Sequence, residues 1–241
     1  MRLTVIGCSP AWPNPGQANA GLLVEGPSRV MLDCGPGVLA ALRALHGEWP
    51  RVDAIILSHL HLDHWGDVLG WLWGTLAGAA AGSPPPEIWV GAGRRGECLD
   101  IAARLGDFGM LDSTFGVREY PVEEPFEIAG FELLAVPVSH YSMPTCGLRL
   151  SDGRSTLAYS ADTGPTEALV RLARDADLFV CEATLADGEQ EGQQRGHLSA
   201  VEAVAAYRAS GAGRLLLTHR PVELPAPAGV EVATPGLVID F

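Results

Sequence analysis

Ala54-Ile55-Ile56-Leu57-Ser58-His59-Leu60-His61-Leu62-Asp63-His64 is the stretch that decides how this chain is read. Its first four residues form a short apolar run of the kind that makes a buried strand. Three imidazoles and a carboxylate then crowd onto the loop at the strand's end. Neutral imidazoles with a hard oxygen donor suit zinc, with manganese and iron as close competitors. His59 and His61 are two apart, so in extended backbone they point the same way. Asp63 and His64 follow within a turn and can face a second metal. A merely solvated turn would be built from Gly, Asn and Ser instead.

The chain has seven histidines, and most repeat this placement. His140 ends the strand-like run Phe131 to Ser139, and His219 ends Arg214 to Thr218. Asp162 follows Thr156 to Ala161. Only His46 sits in a bland Ala/Leu-rich helical pattern. Loops at strand ends build the sites of layered α/β proteins, so one shared cleft accounts for all of these positions.

A length of 241 residues suits one sizeable domain, or two halves sharing a core. Cys8, Cys34, Cys98, Cys146 and Cys181 are scattered and odd in number, with no Cys-x-x-Cys. That disfavours a disulfide framework and a thiolate zinc site, and it fits a reducing cytoplasm. Met1 to Gly7 reads as a first strand rather than a signal peptide. The most apolar segment, Val68 to Gly82, is too short to span a bilayer and reads as a buried helix. The net charge is −13, with 16 arginines, no lysine, and no basic run longer than Arg94-Arg95. A protein that grips long nucleic acid carries a basic stripe, so such a partner is disfavoured. A small phosphorylated substrate is compatible, because metals can supply positive charge locally.

Strands are expected at Leu3 to Ile6, Gly21 to Glu25, Arg29 to Asp33, Ala54 to Leu57 and Glu87 to Val90. Helices are expected from Pro36 to Leu45, from Trp65 or Asp67 to Ala80, and from Gly93 to Leu105. Ser83-Pro84-Pro85-Pro86 breaks the second of these. The second half repeats the theme, with strands at Phe131 to Val138, Cys146 to Leu150, Thr156 to Ser160, Leu178 to Glu182 and Arg214 to Thr218. Its helices are expected at Thr166 to Asp175 and Ser199 to Ser210, with a Gly/Gln-rich loop from Asp187 to Gly196. Two β-rich halves with helices suggest two sheets packed face to face, helices outside.

His-x-His-x-Asp-His, followed at a distance by His, Asp and His, resembles the metallo-β-lactamase superfamily. Asp33-Cys34-Gly35 is similar to the family's Asp-x-Gly turn, and Ser160-Ala161-Asp162-Thr163-Gly164 to the motif carrying its bridging Asp. Cys181-Glu182-Ala183-Thr184, Gly196-His197-Leu198-Ser199-Ala200 and Leu217-Thr218-His219 resemble the ribonuclease Z branch. The runs around His59, Asp162 and His197 are also similar to a smaller actinobacterial group that hydrolyses cyclic nucleotides. One departure stands out. Maturation enzymes for tRNA carry a long arm between the residues matching His140 and Asp162, and here only 22 positions separate them. Two strands and a Ser151-Asp152-Gly153 turn fill that interval.

The resemblance implies a four-layer αββα sandwich over residues 1–241, one domain made of two β-rich halves. It implies that His59, His61 and His140 hold one metal, and that Asp63, His64 and His219 hold another, with Asp162 bridging. Two divalent ions, zinc first, would supply a shared hydroxide and neutralise a phosphodiester's oxygens. The catalytic set expected is Asp63, His197 and Glu182. His197, between the Gly/Gln-rich loop and a helix start, could donate to a phosphate oxygen. By resemblance, Glu182 orients it or passes a proton to the leaving group. Arg195 and Arg220 flank the site histidines and could contact phosphate. Ser139, Tyr141 and Ser142 are candidate pocket residues. Trp65, Trp71 and Trp73 are read as core or dimer contacts before base-stacking ones. The function expected is hydrolysis of a small phosphodiester, a 3′,5′-cyclic nucleotide first, by metal-bridged hydroxide attack. Cleavage of RNA 3′ ends, or of another ester such as a lactone or aryl sulfate, stays open. A homodimer is implied by the family, and no membrane partner is expected.

Overall fold

The computed structural model describes residues 1–186, 195–225 and 227–241. Most of the Gly/Gln-rich loop expected from Asp187 onward lies outside the described residues. Alternation along the strands sorts the apolar side chains into layers. On β1 (Arg2–Gly7), Leu3 and Val5 face the second sheet, and Ile6 faces outward toward helices. On β4 (Ala54–Ile56), Ala54 and Ile56 point inward and Ile55 outward. Both faces of β4 are covered, which is why it reads as a continuous apolar run.

The remaining strands are β2 (Gly21–Glu25), β3 (Arg29–Leu32), β5 (Glu87–Gly91), β6 (Arg118–Tyr120), β7 (Phe126–Ile128), β8 (Phe131–Val138), β9 (Thr145–Ser151), β10 (Thr156–Tyr159), β11 (Leu178–Glu182), β12 (Leu215–Thr218), β13 (Glu231–Val232) and β14 (Val238–Asp240). The first sheet has the order β14-β1-β2-β3-β4-β5-β6, and the second β13-β12-β11-β10-β9-β8-β7. Between them lies a core that includes Leu22, Val24, Leu32, Phe131, Leu148, Leu157, Val180 and Leu216. Helices α1 (Val38–His46), α3 (Val68–Ala77), α4 (Arg95–Arg104) and α5 (Met110–Phe115) supply the apolar layer outside the first sheet. Helices α6 (Ala168–Leu172) and α7 (Ala200–Ser210) cover the second. The architecture is the expected four-layer αββα sandwich, the metallo-β-lactamase fold. Among the described residues no helix is long and apolar enough to cross a membrane.

Strands β3, β4 and β5 are parallel, as are β10, β11 and β12. Strand β8 runs with β10, because both pair antiparallel with β9. The carboxyl ends of β8, β10, β11 and β12 therefore share one edge of the second sheet. His140, Asp162, Glu182 and His219 stand at those ends. A short helix, α2 (Leu62–Trp65), follows β4 and carries Asp63 and His64.

Several elements escaped the sequence reading. Helix α5 and strands β6, β7, β13 and β14 are two to six residues long. Pieces that short carry too little periodicity to be recognised. Strand β14 returns from the C-terminus to pair with β1, so the first sheet takes strands from both ends of the chain. Helix α3 stops at Ala77 rather than Ala80, and α6 is half the expected span.

Candidate metal centre

The loop after β4 is held by the turn after β3. Asp33 is completely buried and adopts φ 60°. Its Oδ1 accepts the Ser58 amide at 2.7 Å, and its Oδ2 accepts the Ser58 hydroxyl at 2.8 Å, His64 Nδ1 at 2.7 Å and the Tyr159 hydroxyl at 2.9 Å. The Cys34 amide donates to the His64 carbonyl, and the Ala20 amide to that of Asp63. Gly35 packs so closely that a Cβ there would collide with the Asp63 carbonyl. The Asp33-Cys34-Gly35 motif is thus the seat of the histidine loop.

Four of the five clustered imidazoles send Nδ1 outward to a fixed acceptor. His59 donates to Ser58 Oγ at 3.0 Å, His64 to Asp33, His140 to the Gly196 carbonyl at 2.7 Å, and His219 to Thr184 Oγ1 at 2.9 Å. Each such bond sets the tautomer and leaves Nε2 as a lone-pair donor toward the centre. His61 is turned the other way, with Nδ1 2.9 Å from His140 Nε2.

The inward-facing atoms form overlapping groups: two take in His197, with His140 and Asp162 and with Glu182 and His219, and two match the expected ligand sets. Of these last two, His59, His61 and His140 make one, and Asp63, His64, Asp162 and His219 the other; within each, the donor atoms lie within 4.8 Å of one another. Asp162 stands between them. Its Oδ2 is 4.0 Å from His59 Nε2, 3.8 Å from His140 Nε2 and 3.2 Å from His64 Nε2, and its Oδ1 is 3.5 Å from His219 Nε2. All seven expected ligand residues therefore converge.

The donor set fits a pair of divalent cations. Buried polar atoms are almost always satisfied, yet His59 Nε2, His64 Nε2 and Asp162 Oδ1 have no hydrogen-bond partner among the described residues. Burial drives His59 well below the ordinary imidazole range, lowers His61, and takes His140 down to about 4. A lowered imidazole pKa favours the neutral form, the form in which histidine can bind a metal. Burial would raise Asp162, but His219 and His64 outweigh it and hold this carboxylate well below its usual range. Burial likewise opposes the lowering of Asp63 by His219 and His64. For His64, burial opposes protonation, but Asp162 and Asp33 outweigh it. The buried carboxylates thus demand positive charge, and nitrogen and oxygen donors suit zinc, manganese or iron.

Beside the cluster, His197 Nδ1 donates to Glu182 Oε1 at 2.9 Å, and its ring stacks on His219 at 5.6 Å between centroids. Glu182 is completely buried. It also accepts the amides of Thr163, Thr184 and Leu198 and the Thr184 hydroxyl. With its oxygens so occupied, orientation of His197 fits this geometry and proton delivery to a substrate does not.

Other expectations change. Arg195 makes a bidentate pair with Glu202, at 2.7 and 2.8 Å, and donates to the His197 carbonyl. Arg220 is buried and donates to the carbonyls of Ala183 and Pro225. Both arginines brace backbone rather than face the cavity. Trp65 and Trp71 are core residues, each 1% exposed, whereas Trp73 is 52% exposed on α3. The cavity over the cluster, of about 330 Å³, is lined by Tyr141 as expected, and by Trp12, which the sequence reading passed over. Ser139 and Ser142 are not among its lining residues. Nothing local marks Trp12, because apart from Ala11 its neighbours in the cavity are over forty residues away in sequence.

Comparisons with known proteins agree with this geometry. Residues 28–220 match the family described as the beta-lactamase superfamily domain. The probable metallo-hydrolase YhfI of Bacillus subtilis is 30% identical over 225 residues, covering 92% of this chain and 87% of the relative. A ribonuclease Z of Mycobacterium bovis is 29% identical over 242 residues, covering 91% and 85%. The crystal structure of YhfI superposes with a TM-score of 0.81 at 26% identity, covering 99% of both chains.

Proposed function

The chain belongs to the metallo-β-lactamase superfamily and is a metal-dependent hydrolase, and from that premise we propose that it cleaves a small phosphodiester, with a 3′,5′-cyclic nucleotide as the first candidate. In this reading His59, His61 and His140 hold one cation, Asp63, His64 and His219 the other, and Asp162 bridges. Zinc is the first choice for both. Cations bound there would supply Lewis acidity and lower the pKa of a water molecule.

The observation that carries the reading is the Glu182–His197 pair beside the cluster. Glu182 occupies Nδ1, so Nε2 is the ring nitrogen on the cavity side. When the ring is protonated both nitrogens donate, Nδ1 to Glu182 and Nε2 into the cavity. A donor held there meets a phosphoryl oxygen whose charge grows in the transition state. Asp33 and Ser58 hold the ligand loop, and Thr184 and the Gly196 carbonyl hold His219 and His140. A cavity of about 330 Å³ and a net charge of −13 favour a small substrate over long RNA.

A second reading, cleavage of RNA 3′ ends, is favoured by one observation: relatives 29% identical over 91% of this chain are named ribonuclease Z. Hydrolysis of cyclic AMP by the protein carrying two metals per chain tests the first reading, with Asp162→Ala as the control. Turnover in the wild type alone supports it. No turnover of cyclic AMP, together with cleavage of a 3′-extended RNA, overturns it in favour of the second.

A further inference from the structure

We infer that Trp12 and Tyr141 form a seat for the planar base of the substrate, next to the metal-ligand cluster. The inference rests on the phosphodiester reading and adds to it the part of the molecule that the cations do not hold. Trp12 and Tyr141 line the same cavity as Asp63, Asp162 and His197. They are 53% and 46% exposed, so neither is a core residue. A lone exposed aromatic needs no explanation. Two of them on the wall of one cavity, beside buried ligands, do.

Both are held in place, Tyr141 at some cost to the chain. Tyr141 has φ 47°, a left-handed conformation that a bulky side chain rarely adopts. Strain of this kind persists where the surroundings over-determine it, and it collects at ligand sites. Here the ring packs 4.9 Å from His140 and 5.7 Å from His197 between centroids. It also lies against Gly196, where any Cβ would collide with the ring. Trp12 rides on a strap that is tied down on both sides. Asn19 Nδ2 donates to the Pro10 carbonyl at 2.6 Å, and the Asn14 amide to Ser9 Oγ at 3.0 Å. Asn14 Nδ2 donates to the Arg220 carbonyl at 2.9 Å, and the Val222 amide returns to Asn14 Oδ1 at 3.1 Å. The strap is thereby anchored next to His219.

The chemistry selects a flat, neutral, π-rich group. Arg195 and Arg220, the arginines nearest the site histidines in sequence, are committed to Glu202 and to backbone carbonyls, so a second phosphate has no matched partner from them. Aromatic faces stack on any base without reading its edges. The seat therefore confers affinity for a nucleotide over a bare sugar phosphate, with little choice between bases.

Titration calorimetry with AMP and with ribose 5-phosphate tests this on the metal-loaded protein. The wild type should bind AMP about tenfold or more tightly than ribose 5-phosphate, the range expected for one stacked base. Trp12→Ala should erase most of that advantage and leave ribose 5-phosphate affinity unchanged, and Trp12→Phe should keep it. Trp12 is exposed, so its removal leaves the core intact. Tyr141→Ala should reduce the advantage independently. An advantage of the same size in both alanine variants overturns the seat while leaving the phosphodiester reading in place. Failure of the wild type to bind either phosphate overturns that reading and the seat with it.

Discussion

Asp33 Oδ2 lies 2.7 Å from His64 Nδ1 and 2.8 Å from the Ser58 hydroxyl, which in turn accepts from His59 Nδ1. One buried carboxylate thus braces a histidine in each of the two donor groups. Outer partners of this type govern metal affinity by about 10–100-fold. With a cation in each group, as proposed, Asp33→Asn should weaken both by that order, read by competition against a coloured chelator. Loss at one site with the other unchanged would contradict the shared brace. Far-ultraviolet circular dichroism would establish that the variant is folded.

His197 donates to Glu182 and lines the cavity, and it is not one of the seven expected metal ligands. His197→Ala should keep two metals per chain and lose about 10²–10³-fold in turnover, the loss typical of a removed transition-state donor. Metal analysis and cyclic AMP hydrolysis on the same sample check both halves. Undiminished turnover would remove His197 from the reaction.

Trp71 is buried and meets Trp49 edge-on at 5.4 Å. Trp71→Ala should cost about 3–5 kcal/mol in urea unfolding, as large core truncations do. Trp73→Ala, on the exposed side of α3, should change stability by no more than about 0.5 kcal/mol.

Burial raises every cysteine thiol: Cys8 and Cys146 to about 11, Cys98 to about 12, and Cys34 and Cys181 well above the ordinary thiol range. The thiolate is the reactive form. Native protein at pH 8 should therefore react negligibly with Ellman's reagent, while denatured protein releases all five equivalents. Rapid reaction of a native thiol would show an opening of the core.

Arg195 holds the Glu202 carboxyl down to about 2 from its ordinary 4.5, opposed by modest burial. A depressed carboxylate contributes stability above its unfolded pKa and loses it as pH falls through the folded one. Glu202→Gln should therefore lower the urea midpoint at pH 7, and the gap to wild type should close as pH falls from 4.5 toward 2. An equal gap at both ends would mean that the ion pair contributes nothing.

By itself the sequence determined the layers and the histidines and acids that gather at one edge of them. Apolar runs such as Ala54 to Leu57 and Leu215 to Leu217 could only be buried, and histidines or acids directly after them had to fall at strand ends. Burial and alternation are local properties, so they are legible along the chain. Only the tertiary structure decided what each polar group faces. Arg195 and Arg220 look like phosphate contacts in sequence, but the fold offers them Glu202 and backbone carbonyls first. Resemblance gave Glu182 the choice of orienting His197 or passing a proton, and only the fold buries it completely under five hydrogen bonds. Trp65 and Trp71 follow the metal loop yet pack into the core, while Trp12, far away in sequence, stands at the cavity. Those outcomes depend on which distant segments meet, and competition among partners at that meeting is not written in any one of them.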